Sequence, residues 1–305
     1  MKIIVFGSIN IDLVTTTPRL PIPGETLIGN SFFTTPGGKG ANQAVALAKL
    51  GIPTQIIGRV GNDNFGLELI NNLKNCGVQT ENIFIDETVN SGIAVITVGQ
   101  KGENNIIVIP GANAKVNQED INKLYPLLPT TNAILLQLEI PIDTVIQIAK
   151  IAQNTNIKII LDPAPAQILP EEIYPLIDII TPNEIEASQL VGFAVTGEET
   201  AAKAAEILLQ KGVKCAIIKL GAKGVFCATK QESFYIPAFS VQAIDTVAAG
   251  DAFNGGLAAA LFHQKPLKEA VNWGAATGAL ATTKLGAQSS FPDRITLDKF
   301  LILNS

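Results

Sequence analysis

The chain has 305 residues, of which 47% are hydrophobic and 16% charged, so it can bury a large core and is not a disordered chain. Its formal net charge of −5 argues against a nucleic-acid surface. Asp251 interrupts the longest apolar segment, which excludes a membrane span, and residues 2–10 indicate a strand rather than a signal-peptide core. We therefore expect a soluble, cytoplasmic protein.

Apolar runs rich in Ile and Val alternate with amphipathic stretches of helical length along the chain. The apolar runs predict strands at residues 2–7, 54–60, 132–138, 157–161, 177–180 and 214–220. The amphipathic stretches predict helices at residues 40–50, 64–76, 142–154, 183–191, 198–211, 250–263 and 266–283. Because the strands are apolar on both faces, the alternation predicts an α/β fold with a doubly wound, mostly parallel sheet flanked by helices.

Residues 11–35 and 92–111 interrupt this alternation with β-branched residues, Pro and Gly. The second segment predicts a hairpin with its turn at residues 100–103. Two short inserted β segments need a cover, either a ligand or a second copy of the chain. We predict that they form a β lid and a homodimer contact, beside an α/β domain made of residues 1–10, 36–91 and 112–305. The alternative interpretation is an edge extension of the main sheet.

Polar residues follow several predicted strands, where ligands bind in parallel α/β sheets. In GSINIDL, residues 7–13, Asn10 and Asp12 alternate with Ile and should share one face. Glu139 ends an apolar strand, where a carboxylate is costly unless it is paired or functional. Asn183 and Glu186 lie three residues apart at a helix start, which is also the pattern of an ordinary N-terminal cap. KLGAKG, residues 219–224, predicts a glycine turn after a strand.

The segment PGGKGANQAVALAKLG, residues 36–51, places three glycines around Lys39 immediately before a predicted helix. It lacks the GxxxxGK[ST] pattern of a Walker A loop. Glycines that let the backbone approach a ligand, with Asn42 one step inside the helix, favour polyol recognition. A flexible turn before a helix explains only one or two of the glycines.

The segment TVAAGDAF, residues 246–253, places three small residues and then Asp251 at a helix start. Turns poor in side chains expose backbone N–H donors, and helix starts bind phosphate in this way. A carboxylate beside an anion site is repulsive unless it accepts a proton there, so Asp251 is a candidate catalytic base. The alternative is an ordinary first-turn carboxylate, which stabilises a helix by about 0.3–1 kcal/mol. His263, the one histidine, lies near the end of this helix.

The segments GSINID, PGGKGANQA, TPNEIEA and DTVAAGDAFNGG occur in this order over nearly the full chain. Together they resemble the signature segments of the ribokinase family of carbohydrate kinases. The resemblance implies a doubly wound α/β domain, a β lid that commonly forms the dimer contact, and transfer of phosphate from ATP to a sugar, for which we expect D-ribose at O5. Fructose and nucleosides remain alternative substrates, and a sugar-binding regulator without turnover is the alternative from another class.

The resemblance also implies roles for individual residues. Sugar hydroxyls would be held by Asn10, Asp12, Gly38, Lys39, Asn42, Glu139 and Asp251. The nucleotide would contact Asn183, Lys219, Gly221, Gly224, Gly250 and Ala275. The anion hole would be Ala248, Ala249 and Gly250, with Asp251 as the base. Glu186 would order Mg²⁺ through water. An activating K⁺ would lie among Asp245, Val247, Ala281, Lys284, Gly286 and Ser290.

Two positions depart from the family's pattern. Lys219 stands where these kinases often have Thr, and Ala275 stands where a polar residue often faces the adenine. The residues therefore support a preference for ATP less directly than they support phosphoryl transfer.

Overall fold

The computed structural model describes residues 1–155 and 157–304, and residues 156 and 305, which belong to the predicted α/β domain, lie outside the described residues. The strands are β1 (Lys2–Phe6), β2 (Asn10–Thr17), β3 (Ser31–Gly37), β4 (Thr54–Gly61), β5 (Gln79–Asp86), β6 (Gly92–Gly99), β7 (Asn104–Ile109), β8 (Thr131–Leu136), β9 (Lys158–Leu161), β10 (Ile179–Ile180), β11 (Cys215–Lys219), β12 (Val225–Thr229) and β13 (Ser233–Ile236).

The helices are α1 (Lys39–Lys49), α2 (Asn64–Asn75), α3 (Gln118–Asn122), α4 (Ile142–Gln153), α5 (Glu184–Val191), α6 (Glu198–Gln210), α7 (Ala249–Phe262), α8 (Leu267–Ala281) and α9 (Arg294–Leu303). Short 3₁₀ turns occupy Gly111–Lys115, Tyr125–Thr130, Glu171–Leu176 and Gly221–Lys223. Among the described residues, no helix is both long and apolar enough to cross a membrane.

The main sheet has nine strands in the order β13-β12-β11-β10-β9-β8-β1-β4-β5. Every described pairing from β11 to β5 is parallel, whereas β12 pairs antiparallel with both β11 and β13. The predicted doubly wound, mostly parallel sheet is therefore confirmed. Alternate side chains of β1 enter opposite cores: Ile3 and Val5 pack toward α1, α2, α7 and α8, whereas Ile4 and Phe6 pack toward α4, α5 and α6.

The two segments that interrupt the α/β alternation form a separate four-stranded sheet in the order β3-β2-β6-β7. They do not extend the edge of the main sheet. Strands β6 and β7 form a hairpin whose turn lies at residues 100–103, where the sequence predicts it, and Gly102 N donates to the Gly99 carbonyl over 3.0 Å. Large apolar side chains are exposed on this sheet, at Phe32, Phe33, Ile106, Ile107, Val108 and Ile109.

Candidate functional site

Polar side chains converge at the carboxyl edge of the main sheet. The chain that follows β1, β8, β9 and β10 supplies, in turn, Ser8, Glu139, Asp162 and Asn183, and the last residue of β11 is Lys219. Helices α1 and α7 both begin at this edge, and they bring in the predicted residues Lys39 and Asp251. Parallel α/β sheets bind ligands at this edge, so the fold assembles most of the predicted residues in one place.

Asp251 is 4% exposed in the first turn of α7, and amide donors hold both of its carboxylate oxygens. Asn42 Nδ2 donates to Oδ2 over 2.9 Å, and Gln43 Nε2 donates to Oδ1 over 3.1 Å. Burial, assisted by the charge of Asp162, raises the pKa of Asp251 to about 6 against the opposing charge of Lys39 and the two amide hydrogen bonds. The carboxylate is therefore oriented and more basic than an ordinary Asp.

The turn before Asp251 has a backbone conformation that exposes N–H groups. Ala248 is the N-cap residue of α7 and has a left-handed φ of 56°, which is uncommon for a residue other than glycine. Ala249 N donates to the Thr246 carbonyl over 3.3 Å, whereas in the described part of the chain the backbone N–H groups of Gly250 and Asp251 have no backbone acceptor. Backbone N–H groups without a backbone acceptor at a helix start can bind an anion, so this turn is a candidate anion hole.

His263 lies away from this turn. It is the C-cap residue of α7, so about 18 Å of helix separates it from Asp251.

Glu139 and Ser8 hold the start of α1 in place. Glu139 Oε2 accepts from Lys39 N over 3.0 Å and from Ser8 Oγ over 2.5 Å. Burial would lower the pKa of the Lys39 ammonium, but the carboxylates of Asp251, Asp162, Glu139 and Glu186 together raise it above its ordinary value. Lys39 is thus a firmly charged cation among acidic groups, a setting suited to binding a polar ligand.

The three glycines around Lys39 make room for protein atoms. A Cβ on Gly38, whose φ is +89°, would lie 2.7 Å from Asn10 N, and a Cβ on Gly40 would lie 2.6 Å from the Gly7 carbonyl carbon. Close packing of α1 against the chain after β1 therefore requires Gly38 and Gly40, beside the ligand approach that the sequence predicts for these glycines.

Asn10 and Asp12 share one face of β2, as the alternation predicts. Asn10 Oδ1 accepts from Asn113 Nδ2 over 2.6 Å, which fixes its amide. Burial, then the charge of Glu139, then that of Asp251, raises the pKa of Asp12 to about 7. The charges of Glu139 and Asp251 act on Asp12, so the second sheet adds one carboxylate to the acidic groups at this edge.

Asn183 and Glu186 form a reciprocal capping box at the start of α5. Glu186 N donates to Asn183 Oδ1 over 2.9 Å, and Asn183 N donates to Glu186 Oε2 over 2.8 Å. The capping pattern recognised in the sequence is thus present, and burial raises the pKa of Glu186 against the charge of Lys219. Among the described residues no three His, Cys, Asp or Glu side chains form a metal cluster. A single carboxylate fits Mg²⁺ held through water, because this ion keeps several of its waters.

The loop after β11 is tight and rich in glycine. Gly221 has a φ of 54° and Gly224 a φ of 110°, where a Cβ would lie 2.9 Å from Ala238 N. Lys219 lies against two parts of the site: its backbone N donates to the Pro182 carbonyl over 2.9 Å, and its Nζ lies 3.3 Å from the place that a Cβ on Gly250 would occupy. Ala275 is on α8, partly buried against the core of the main sheet.

Asp245 joins the two segments predicted to hold K⁺. Its Oδ1 accepts from Val247 N over 3.0 Å, and its Oδ2 accepts from Gly286 N over 2.9 Å. Of the other predicted ligands, the Ala281 carbonyl accepts from Lys284 N over 3.5 Å, and the buried Ser290 hydroxyl donates to the Ala287 carbonyl over 2.8 Å. Carboxylate, carbonyl and hydroxyl oxygens form a donor set that fits a hard cation.

Sequence reasoning missed three buried residues of this site: Gln43, Gln137 and Asp162. Gln43 Nε2 contacts the carboxylates of both Asp251 and Asp162. Gln137 Nε2 donates to Gln43 Oε1 over 2.6 Å. Asp162 carries the same signal as Glu139, because it is a carboxylate directly after a predicted strand, and so it could have been found. The two glutamines lie within apolar runs that give no such signal.

Comparison with known proteins places this geometry in a family. Residues 1–294 match the description "pfkB family carbohydrate kinase". The ribokinase of Haemophilus influenzae is 44% identical over 297 residues, which cover 97% of each chain.

Two solved structures are also similar. The ribokinase of Thermotoga maritima has a TM-score of 0.91 at 41% identity and covers 99% of each chain. A ribokinase of Arabidopsis thaliana complexed with ribose and ATP has a TM-score of 0.91 at 34% identity and covers 98% of each chain. The chain therefore belongs to the pfkB family of carbohydrate kinases.

Proposed function

We propose that this protein transfers the γ-phosphoryl group of ATP to O5 of D-ribose. The observation that carries the proposal is the buried Asp251 carboxylate at the start of α7, oriented by two amides next to free backbone N–H groups. Relatives called ribokinase over nearly the full chain support the sugar, and the Arabidopsis complex with ribose and ATP supports both substrates. A regulator without turnover would have no use for a base held beside an anion hole.

The sugar lies between the second sheet and the start of α1. Asn10, Asp12, Asn42 and Glu139 offer amide and carboxylate groups to its hydroxyls, and the Lys39 ammonium and the Gly38 backbone complete the set. Glu139 uses one oxygen to hold α1, so its Oε1 is the atom that faces the sugar. Asp251 contacts the hydroxyl that is to be phosphorylated.

Asp251 accepts the proton of this hydroxyl as its oxygen attacks the γ-phosphorus. With a pKa of about 6 the carboxylate is ionised near neutral pH, yet it holds a proton better than an ordinary Asp. Backbone N–H groups of residues 248–251 stabilise the equatorial oxygens of the transferred group. Phosphoryl transfer depends mainly on positioning and electrostatic stabilisation, and a turn at a helix start supplies both.

The nucleotide binds along the ends of β10 and β11. Asn183, Lys219, Gly221, Gly224 and Gly250 contact its phosphates and ribose, and Ala275 on α8 faces the adenine. Glu186 would hold Mg²⁺ through water, and the bound ion would supply positive charge to the phosphates of the nucleotide. Asp245, with Val247 and the loop at 281–290, would hold a K⁺ and thereby keep the turn in one conformation.

The second sheet closes over the sugar as a lid and forms the contact of a homodimer. Its exposed apolar side chains, at Phe32, Phe33 and Ile106–Ile109, are too many for a sheet that faces water on both sides. Pairing them across a two-fold axis covers this surface, and closure excludes water that would otherwise attack the phosphoryl group. The site of action is the cytoplasm, where ATP is available.

ADP release measured with ribose, deoxyribose, fructose, adenosine and fructose 1-phosphate tests the substrate. We expect the highest kcat/KM with ribose, and NMR of the product should place the phosphate on O5. A higher kcat/KM with fructose or adenosine would identify that compound, and not ribose, as the substrate. Sugar binding without ADP release would favour the regulator instead.

A further inference from the structure

Asp162 is a buried carboxylate that follows β9 and contacts two other parts of the site. It is 2% exposed, and Lys219 Nζ donates to its Oδ1 over 3.0 Å. The side chains of Lys219 and Asp162 in this ion pair are 12% and 3% exposed. Burying such a pair is costly unless its remaining hydrogen-bonding capacity is used. Here the second oxygen, Oδ2, accepts from Gln43 Nε2 over 3.0 Å.

Gln43 links Asp162 to the proposed base. Its amide nitrogen donates to Asp162 Oδ2 over 3.0 Å and to Asp251 Oδ1 over 3.1 Å, so one NH₂ group bridges two carboxylates. Its Oε1 accepts from Gln137 Nε2 over 2.6 Å. Because ionised carboxylates can only accept hydrogen bonds, the nitrogen of Gln43 must face them, and Gln137 fixes that orientation.

Asp162 also connects to the anion hole, through Lys219. Lys219 Nζ lies 3.0 Å from Asp162 Oδ1. On its other side it approaches Gly250, because a Cβ added to Gly250 would lie 3.3 Å from Nζ. Lys219 is further held by a bridge of its backbone with Asn183. A cation in this position is close enough to the anion hole to contact a transferred phosphoryl group.

We propose that Asp162 is a positioning residue, which holds the Lys219 ammonium at the anion hole and, through Gln43, orients the Asp251 carboxylate. The inference rests on the proposed function of the same site. Hydrogen bonds connect Lys219, Asp162, Gln43 and Asp251 into one unit. Asp162 therefore positions both Lys219, which contacts the phosphoryl group, and Asp251, which accepts the proton.

The charges around Asp251 predict shifts of the pH profile that a purely structural role of Asp162 would not produce. The charged groups that face it are Lys39, Asp12 and Asp162, together with the amides of Asn42 and Gln43. The Asp162 charge raises the pKa of Asp251, whereas the Gln43 hydrogen bond lowers it. Asp162→Asn should therefore shift the acid limb of the rate profile to lower pH, and Gln43→Met should shift it to higher pH.

The experiment measures kcat, both KM values and the pH profile for the wild type, Asp162→Asn and Gln43→Met. We expect kcat to fall by about 10²-fold in each variant, as for a misplacement of reacting groups by about 1 Å, with the KM for ribose nearly unchanged. The control Asp178→Asn makes the same change in an ion pair with Lys214 away from the site and should leave kcat and the profile as in the wild type.

A double variant tests the Lys219 end. Since the ion pair acts as one unit, Asp162→Asn combined with Lys219→Met should lose less activity than the product of the two single losses. Wild-type kcat in Asp162→Asn, or pH profiles that do not shift in opposite directions, would overturn the inference. If Asp162→Asn does not fold, wild-type kcat in Gln43→Met alone would overturn it. A wild type that releases no ADP with ribose would instead refute the proposed function, and with it this inference.

Discussion

Replacing Asp12 by Asn should stabilise the sugar-free protein above neutral pH while weakening its affinity for ribose. Burial, then the charges of Glu139 and Asp251, raises the pKa of Asp12 from 3.8 to about 7. Between these two values the folded protein keeps a proton that the unfolded chain has lost. The contribution of Asp12 to the free energy of unfolding is therefore present at low pH and is lost as the pH rises through about 7.

The size of the effect follows from the difference between the two pKa values. At 1.36 kcal/mol per pKa unit, the raised pKa of Asp12 lowers the free energy of unfolding by up to about 4 kcal/mol at pH 8 and by less than half of that at pH 5. Asn keeps the shape of the side chain without the charge, so Asp12→Asn removes this cost. It also puts an NH₂ donor in place of one carboxylate acceptor, which should weaken ribose binding because a hydroxyl that donates to that oxygen loses its acceptor in a closed site.

Urea unfolding at about pH 5 and about pH 8 measures the stability, and calorimetry measures the affinity for ribose. We expect Asp12→Asn to exceed the wild type in free energy of unfolding by more at the higher pH. The exposed Asp143, at the start of α4, provides the matched control, and Asp143→Asn should show no such gain. If Asp12→Asn had the same pH dependence as the wild type, Asp12 would not be a strained carboxylate. Unchanged ribose affinity would remove it from the sugar site.

Three further predictions concern the base, the cation and the dimer. Because the pKa of Asp251 is about 6, kcat/KM for ribose should rise with pH through this value as the carboxylate ionises, and a flat profile there would contradict its role as the base. K⁺ should raise the rate over a buffer free of Na⁺ and K⁺, and Asp245→Ala should abolish the response; equal rates with K⁺ and a bulky organic cation would exclude the site. Light scattering should give a dimer, and a fully active monomer would refute the lid contact.

Much of the fold could be predicted from the sequence because buried parallel strands consist of continuous runs of apolar residues. The strands at 2–7, 54–60 and 157–161 all appear in the sheet, and those at 2–7 and 157–161 are followed by the site residues Ser8 and Asp162. Edge elements give weaker signals. Strand β5 begins with four polar residues and has only three apolar ones, and the β12–β13 hairpin follows a glycine turn that also fits a ligand loop.

Other features depend on contacts that no local pattern encodes. Ala248 takes a left-handed conformation although it is not a glycine, which a propensity argument excludes. Gln43 and Gln137 lie in apolar runs, and only the packing of α1 against the main sheet brings Gln43 to the two carboxylates and to Gln137. Helix α9 begins at the N-cap Asp293, directly after Pro292, and this pair of residues is a start signal that local sequence does encode.

The turnover of Asp251→Asn, measured together with its affinity for ribose, tests the proposed base most directly. The substitution keeps the shape of the side chain and removes its ability to accept a proton. We expect kcat to fall by at least about 10²-fold, within the range for loss of a general base, while calorimetry shows ribose binding largely kept. Near-normal turnover in Asp251→Asn would contradict the assignment of Asp251 as the catalytic base.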